Sequence, residues 1–494
     1  MGNPAADGRR FHGNRAARAV LTGTESGRNA QSKQAQEKGK SSMHKTNNLT
    51  EGNVLTTLLR FAVPVFLALF LQALYGGADL LIVGQFAQTA DVSGVATGSM
   101  LLSTVTMITT GLSMGITIMV GERIGQRRPR EAGEAVGNGI CLFAVFALLM
   151  TAALVLGAPA LAGLLHAPAE AFGQTVAYIR ICGAGFLFIA AYNVFGAIFR
   201  GIGDSKTPLM TVAVACVLNI LGDLLLVAGF GLGAAGAAAA TVMAQAVSVA
   251  ISFAVIARRK NLPFVFSRSM LRFTRLVAAK QLRLGMPVAL QELLVGTSFL
   301  VIQTIVNTFG VTASAGVGVA EKLCVFLMLV PSAYSQSMSA LVAQNMGAGN
   351  PARAKRALGC GIVTAFAAGL AMAYLSFFHG DLLAAIFARE PEVIAAAHDY
   401  MKAYAIDCTL TPFLFCFIGY YNGREKTVFV MVQGLVGAFL VRIPMAYFVS
   451  RLAGATLFEI GLATPASSLV QIALCLGMFV WMGKKEKHGR GAAV

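Results

Sequence analysis

Apolar residues gather along this chain in about twelve blocks, each about as long as a bilayer is thick, parted by short polar breaks. The blocks fall at roughly 57–84, 93–120, 135–165, 173–199, 207–229, 234–257, 281–309, 314–345, 357–387, 394–421, 427–450 and 459–482. A helix crossing hydrocarbon needs about 20 mostly apolar residues. Each block therefore predicts one membrane-spanning helix, and the fold class is all-α and polytopic. The glycines and prolines inside the blocks do not argue against this, because membrane helices tolerate both. Composition agrees: 56% of residues are hydrophobic and 12% charged, whereas soluble domains carry about 25% charged residues.

The pattern also repeats. Pro64 opens "PVFLALFLQALYGGAD" and Pro287 opens "PVALQELLVGTSF", at an offset of 223 residues. Gly125, in "GERIGQRRPREA", matches Gly347, in "AQNMGAGNPARA", at 222. Lys206, in "RGIGDSKT", matches Lys426, in "YYNGREKT", at 220. A period this long is no solenoid repeat. It predicts two homologous six-helix bundles: an N-lobe at 50–257 and a C-lobe at 281–482, joined by a basic linker at 258–280. Tails at 1–49 and 483–494 flank them. In membrane proteins such duplication is the scaffold of alternating access.

Charge sets the orientation. Arg127, Arg128, Arg130, Arg200, Lys206, Arg258, Arg259, Lys260, Arg353, Lys355, Arg356, Arg424 and Lys426 all fall in one set of loops, with the linker and the C-terminal tail. The opposite loops offer Arg389 and Arg451. The positive-inside rule then predicts that both termini are cytoplasmic in a cell (inner) membrane protein. The net charge of +17 is accounted for by that bias and by attraction to anionic membrane lipids, with no nucleic-acid partner. Residues 1–42 are basic and lack an apolar h-region, so they are no signal peptide. Their composition reads as disordered. Met43 looks like a natural start, and 1–42 reads as an upstream extension from a misplaced start codon rather than a regulatory tail. The eight cysteines lie in the blocks and form no C-x-x-C pair, so they read as small buried hydrophobes. The six histidines show no metal spacing.

Acids inside the blocks carry the candidate chemistry. A carboxylate at mid-bilayer costs several kcal/mol, so each is a functional hypothesis by default. Gln72 and Asp79 stand two turns apart on one face of the first span. Asn219 and Asp223 share a face of the fifth, and Thr241 lies in the sixth. Carboxylate, amide and hydroxyl oxygens suit a hard cation such as Na⁺, or two carboxyls that share protons. In the second half Glu292 and Asp407 are candidates for attracting cationic substrates, against simple pairing with Lys322 or Lys402. Arg442 reads as structural, holding carbonyls or an acid. Pro64, Pro287, Gly125 and Gly347 read as hinge and packing positions. "GLSMG" (111–115) matches a nucleophile elbow but sits inside a span with no preceding strand, so close helix packing through Gly111 and Gly115 is the better account. "GLGAAG" (231–236) follows a helix, so a dinucleotide site fails its context test. No Walker A sequence appears.

The Pro64–Gln72–Asp79 series, the two glycine–proline turns, "RGIGDSKTPL" (200–209), "VRIP" (441–444) and "GLATPASSL" (461–469) together resemble the multidrug and toxic compound extrusion (MATE) family over residues 50–482. The resemblance implies a two-bundle fold and a secondary antiporter, not an enzyme. Its substrates would be lipophilic, cationic organic compounds exchanged for H⁺ or Na⁺, with no other cofactor, and a monomer is expected. In the branch that includes the DNA-damage-inducible and archaeal transporters, the matching residues form the ion site: Asp79, Asn219, Asp223 and Thr241, with Gln72 lining the cavity. The other branch carries a glutamate where this chain has Val295, and its tenth-helix acid is out of register with Asp407. Both departures argue against a second ion site of that type. The runner-up is a flippase for a lipid-linked oligosaccharide or cell-wall precursor. An intramembrane enzyme ranks third, for want of a nucleophile–histidine pair. The repeat offsets place Ile302, Phe439 and Ile443 opposite Asp79, Asn219 and Asp223. The broken symmetry puts ion sensing in the first half.

Overall fold

The computed structural model describes residues 49–259 and 262–491, with side chains to residue 486. The extension expected before Met43 lies outside the described residues. Twelve spans follow the apolar blocks: α1 Val54–Phe86, α2 Thr89–Gly125, α3 Pro129–Leu164, α4 Ala169–Gly201, α5 Lys206–Gly229, α6 Gly233–Arg258, α7 Arg275–Asn307, α8 Val311–Gly347, α9 Pro351–Phe378, α10 Pro391–Gly423, α11 Thr427–Ser450 and α12 Leu457–Glu486. The span α4 is two pieces, Ala169–Ala184 and Phe186–Gly201, bent by 53°. No strand occurs among the described residues.

Local rules explain the ends. Asn53 caps α1: its Oδ1 accepts from the N–H groups of Leu55 (3.0 Å) and Thr56 (3.3 Å). Pro129, Pro351 and Pro391 each open a helix, where a missing N–H costs nothing. The helix α7 starts at Arg275 rather than 281, since its first turns carry charge and lie beyond the apolar block. The linker is not a loose tether. The Val265 N–H donates to the Pro129 carbonyl (3.0 Å) and Asn138 Nδ2 to the Thr274 carbonyl (3.2 Å), so it lies along α3. Large residues such as Leu148, Leu149 and Leu156 on α3 are exposed, as lipid-facing positions should be.

Two helices change partners along their length. The first half of α1 (Leu58, Phe61, Val65) packs with Met338, Leu341 and Leu414 of the second lobe. Its far half (Val83) packs with Val95, Val227 and Ala234 of its own. The counterpart α7 does the same in reverse. Ala289 joins Ile116, Met119 and Val120 of the first lobe, while Ile302 and Val306 join Val317, Tyr400 and Tyr404 of the second. Pro64 and Pro287 sit inside these crossing helices, and both helices continue through them.

The crossing draws the lobes together at the end that carries the basic loops. Any Cβ at Gly111 would overlap the Ala289 backbone, and one at Gly115 the Gln281 carbonyl. The repeat-related glycines meet across the pseudo-twofold axis, Gly125 against the Gln344 carbonyl and Gly347 against that of Glu122. Gln344 Nε2 also donates to the Gly201 carbonyl (2.8 Å). Lys280 Nζ bridges Glu122 (2.9 Å) and Glu425 (2.7 Å).

Candidate functional site: a polar cavity beside a buried carboxylate pair

Beyond this seal lies a cavity of about 710 Å³, lined chiefly by the first lobe. Gln72, Tyr75 and Asp79 reach it from α1, Tyr192 and Asn193 from α4, Thr241 and Gln245 from α6, and Gln291 and Glu292 from α7. Its walls are fixed by hydrogen bonds. Gln72 Nε2 donates to the Tyr192 hydroxyl (2.8 Å), and the Thr110 hydroxyl donates to Asn193 Oδ1 (3.0 Å).

At the cavity wall the four residues expected to act together do meet. Asp79, Asn219, Asp223 and Thr241 come from α1, α5 and α6, and all are buried. The Thr241 hydroxyl donates to Asp79 Oδ2 (3.3 Å) and accepts from Asn219 Nδ2 (3.4 Å). The carboxyls of Asp79 and Asp223 face each other within hydrogen-bonding reach. Asp223 follows Asn219 by one turn and sits where α5 widens into a π-helical segment, Leu224–Gly229.

The bookkeeping of donors is the informative part. Asp79 Oδ1, Asn219 Oδ1 and both oxygens of Asp223 are buried and have no hydrogen-bond partner. Buried polar atoms are rarely left so. Two ionised carboxyls are acceptors only, so they can face each other at close range only with something positive between them. A shared proton does this, and so does a small hard cation, for which two carboxylates, an amide and a hydroxyl are an apt donor set.

The second-lobe candidates divide. Glu292 lines the cavity. Asp407 does not: it is 3% exposed inside the second lobe, within reach of Ser468 and under the influence of Arg442. The expectation that it lines the substrate cavity is corrected by its position on the inner face of α10. Nor does Lys402 pair with it, since Lys402 lies 3.8 Å from Asp399, one turn away on the solvent side. Arg442 holds neither a carbonyl nor an acid directly among the described residues. Its Nη1 donates to the Ser298 hydroxyl (3.1 Å) and its guanidinium lies 4.3 Å from the Phe299 ring centre.

Tyr75, Tyr192 and Gln245 were not legible as cavity residues, because single polar groups in a span carry no spacing signal. Arg200 was counted with the basic loops, yet it lines the cavity.

The MatE family pattern matches residues 64–225 and again 287–448. The chain belongs to the MATE family. Both matches run the same length at an offset of 223 residues, the first over α1–α5 and the second over α7–α11. Among relatives, the Bacillus subtilis probable multidrug resistance protein YpnP is 26% identical over 81% of this chain and 89% of its own. The Thermotoga maritima probable multidrug resistance protein NorM is 25% identical over 80% and 90%. The Staphylococcus saprophyticus multidrug export protein MepA is 23% identical over 82% and 89%. The fold matches that of a MATE protein crystallised with MaL6 at a TM-score of 0.84, with 19% identity over 90% of this chain and all of the other. An outward-facing multidrug resistance MATE transporter of the MOP superfamily also scores 0.84, with 19% identity over 90% of this chain and 99% of the other. This MATE protein is therefore a polytopic membrane transporter rather than an enzyme.

Proposed function

We propose that this MATE protein exports lipophilic organic compounds from the cell by antiport with H⁺ or Na⁺, binding the ion at Asp79, Asn219, Asp223 and Thr241. The observation that carries this reading is the facing carboxyl pair with its unpartnered oxygens, of which Asp79 lines the cavity. The relatives named for multidrug resistance and export support the substrate class. The positive-inside bias of the loops supports reading the sealed end as cytoplasmic and the arrangement as an outward-open state of a cell-membrane protein.

In the mechanism, an ion arriving from outside neutralises the pair and α1 repacks. Because the far half of α1 belongs to the ion site and its near half to the second lobe, this repacking is felt at both. The bound compound is released outward, and the lobes then rock to return the ion inward. One monovalent ion falling through 100 mV supplies about 2.3 kcal/mol, nearly fifty-fold in substrate gradient. A lipid-precursor flippase would be served by a strongly basic cavity, and acids are present here at both Asp79 and Glu292.

The test is efflux from vesicles in which pH and Na⁺ gradients are set separately. Asp79→Asn and Asp223→Asn should each abolish gradient-driven efflux while the protein still inserts in the membrane. Full wild-type efflux from both variants would overturn the assignment.

A further inference from the structure

The cavity holds a cation that ion coupling does not use. Arg200 stands in the last turn of α4, at the cavity end nearer the basic loops, and lines the cavity. Its side chain folds back along its own helix, so that a Cβ at Gly196 would lie 3.2 Å from Nη1. Gly196 is what gives the guanidinium room to face the cavity. The Nε is buried and has no hydrogen-bond partner. Among the described residues no carboxylate stands within ion-pair distance of Arg200. The next acid along the chain, Asp204, is already engaged: it takes Arg259 Nη1 at 2.6 Å and the Thr207 hydroxyl at 2.6 Å. Burial alone would lift the Asp204 carboxyl, but the Thr207 and Arg259 donors hold it below the usual carboxylate range, so it remains an anion bound to Arg259.

Arg200 is half-buried: its Nε is enclosed, while the guanidinium faces the cavity with no acid of its own, open to an anionic group there. Helix-end carbonyls can serve, but none accepts from Arg200 here. The fork of donors suits a planar carboxylate in two-point contact. The geometry also sets the reach. Gly196 lies one turn, about 6 Å, from Tyr192 along α4. Tyr192 holds Gln72, and Gln72 is about 10 Å from Asp79 along α1. The cavity thus has a cation at one end and acids toward the other, separated by roughly 16 Å.

We propose that Arg200 is an anion subsite of the transport cavity, taking the carboxylate of an amphipathic organic compound, so that the cavity favours zwitterions over simple cations. This rests on the export reading above and names its substrate class. A suitable probe pair is a cationic xanthene dye with a free carboxylate and its methyl ester, which differ in that one charge. Binding is followed by fluorescence anisotropy on the purified full-length protein. The wild type should bind the carboxylate dye about ten-fold tighter than the ester. Arg200→Gln should bring that ratio close to one, while Arg200→Lys keeps part of the preference. Benzoate should displace the carboxylate dye from the wild type and spare the ester, a measurement that stands even if Arg200→Gln elutes as aggregate. Equal binding of the two dyes by the wild type, no binding of the carboxylate dye, a preference that survives Arg200→Gln, or benzoate acting on both dyes alike would each overturn the subsite. Vesicle efflux separates the two readings. If the dyes are exported alike and bound alike, the subsite fails and export stands. If the carboxylate preference holds and neither dye is exported under any gradient, export fails and the subsite stands.

Discussion

Where α1 carries Asp79, the repeat places Ile302 on α7; where α5 carries Asn219 and Asp223, α11 carries Phe439 and Ile443. Ile302 is 1% exposed and packs among Val306, Val317 and Tyr400. The same crossing helix therefore ends beside a carboxyl pair with orphaned oxygens in one lobe and among chiefly apolar side chains in the other. Both lobes build this long crossing helix, one with the acid and one without, so the helix does not require it. The acids cost stability in one copy and nothing in the other, which is the expected mark of a functional site. Making the first lobe resemble the second tests this most severely. The double substitution Asp79→Leu with Asp223→Leu should eliminate gradient-driven vesicle efflux. It should also raise the unfolding free energy by about 1–2 kcal/mol, read as a higher melting temperature in detergent. The converse, Ile302→Asp, should cost about 4 kcal/mol by leaving an unpaired carboxyl in an apolar core. A neutral result for Ile302→Asp would mean the second lobe already tolerates charge there, and the contrast would fall.

What the lobes share is tested at the seal. Gly125 and Gly347 meet the opposite lobe's backbone in the same way, each against a carbonyl of the facing helix. Gly125→Leu and Gly347→Leu should therefore be equivalent. Overpacking of this kind costs about 1–3 kcal/mol, enough to lower the closed-to-open ratio at the basic end by about ten-fold or more. Inter-label distances between the lobes at that end should widen for both variants. A response from one glycine alone would show that the pseudo-twofold is not functionally symmetric.

The second lobe has its own buried charges, and they are compensated differently. Arg442, 5% exposed, acts on Asp407 through its charge, with no ion pair between the two among the described residues. Arg442→Met should destabilise the protein by about 2 kcal/mol, and Asp407→Asn in the same chain should recover most of it. Additive losses in that double-mutant cycle would show the two groups to be independent.

The architecture was legible because each span is a local, one-dimensional signal: a run of apolar residues as long as the bilayer is thick. The duplication suggested the lobes, and face-sharing pairs such as Asn219 and Asp223 gave half of the proposed ion site. The rest required three dimensions. No periodicity tells that α1 leaves its own lobe halfway along its length, or that Asp407 points into the second lobe while Glu292 points into the cavity. Arg200 was misplaced for a physical reason: charge at a span's end normally snorkels toward water. Here Gly196 lets it turn back along the helix toward the cavity.

The mildest difference between the copies lies in the turns after α2 and α8. Both copies end their helix through a residue in the left-handed region: Arg127 at φ 58° in the first and Gly349 at φ 73° in the second. Both are followed by the same closing bond, Arg128 N–H to the Arg123 carbonyl (3.0 Å) and Asn350 N–H to the Asn345 carbonyl (2.8 Å). The turn is thus required in each copy, and glycine alone adopts it without steric cost. A side chain there costs about 1–2 kcal/mol, while glycine costs about 0.5–1 kcal/mol in the unfolded chain's entropy. Arg127→Gly should therefore stabilise by about 0.5 kcal/mol, and Gly349→Ala should destabilise by about as much. A rise of a degree or two in melting temperature for the first and a similar fall for the second is the expected pattern. If Arg127→Gly lowers the melting temperature instead, the exposed arginine makes a favourable charge contribution at the basic end that outweighs its backbone strain, and the two turns are then not equivalent after all.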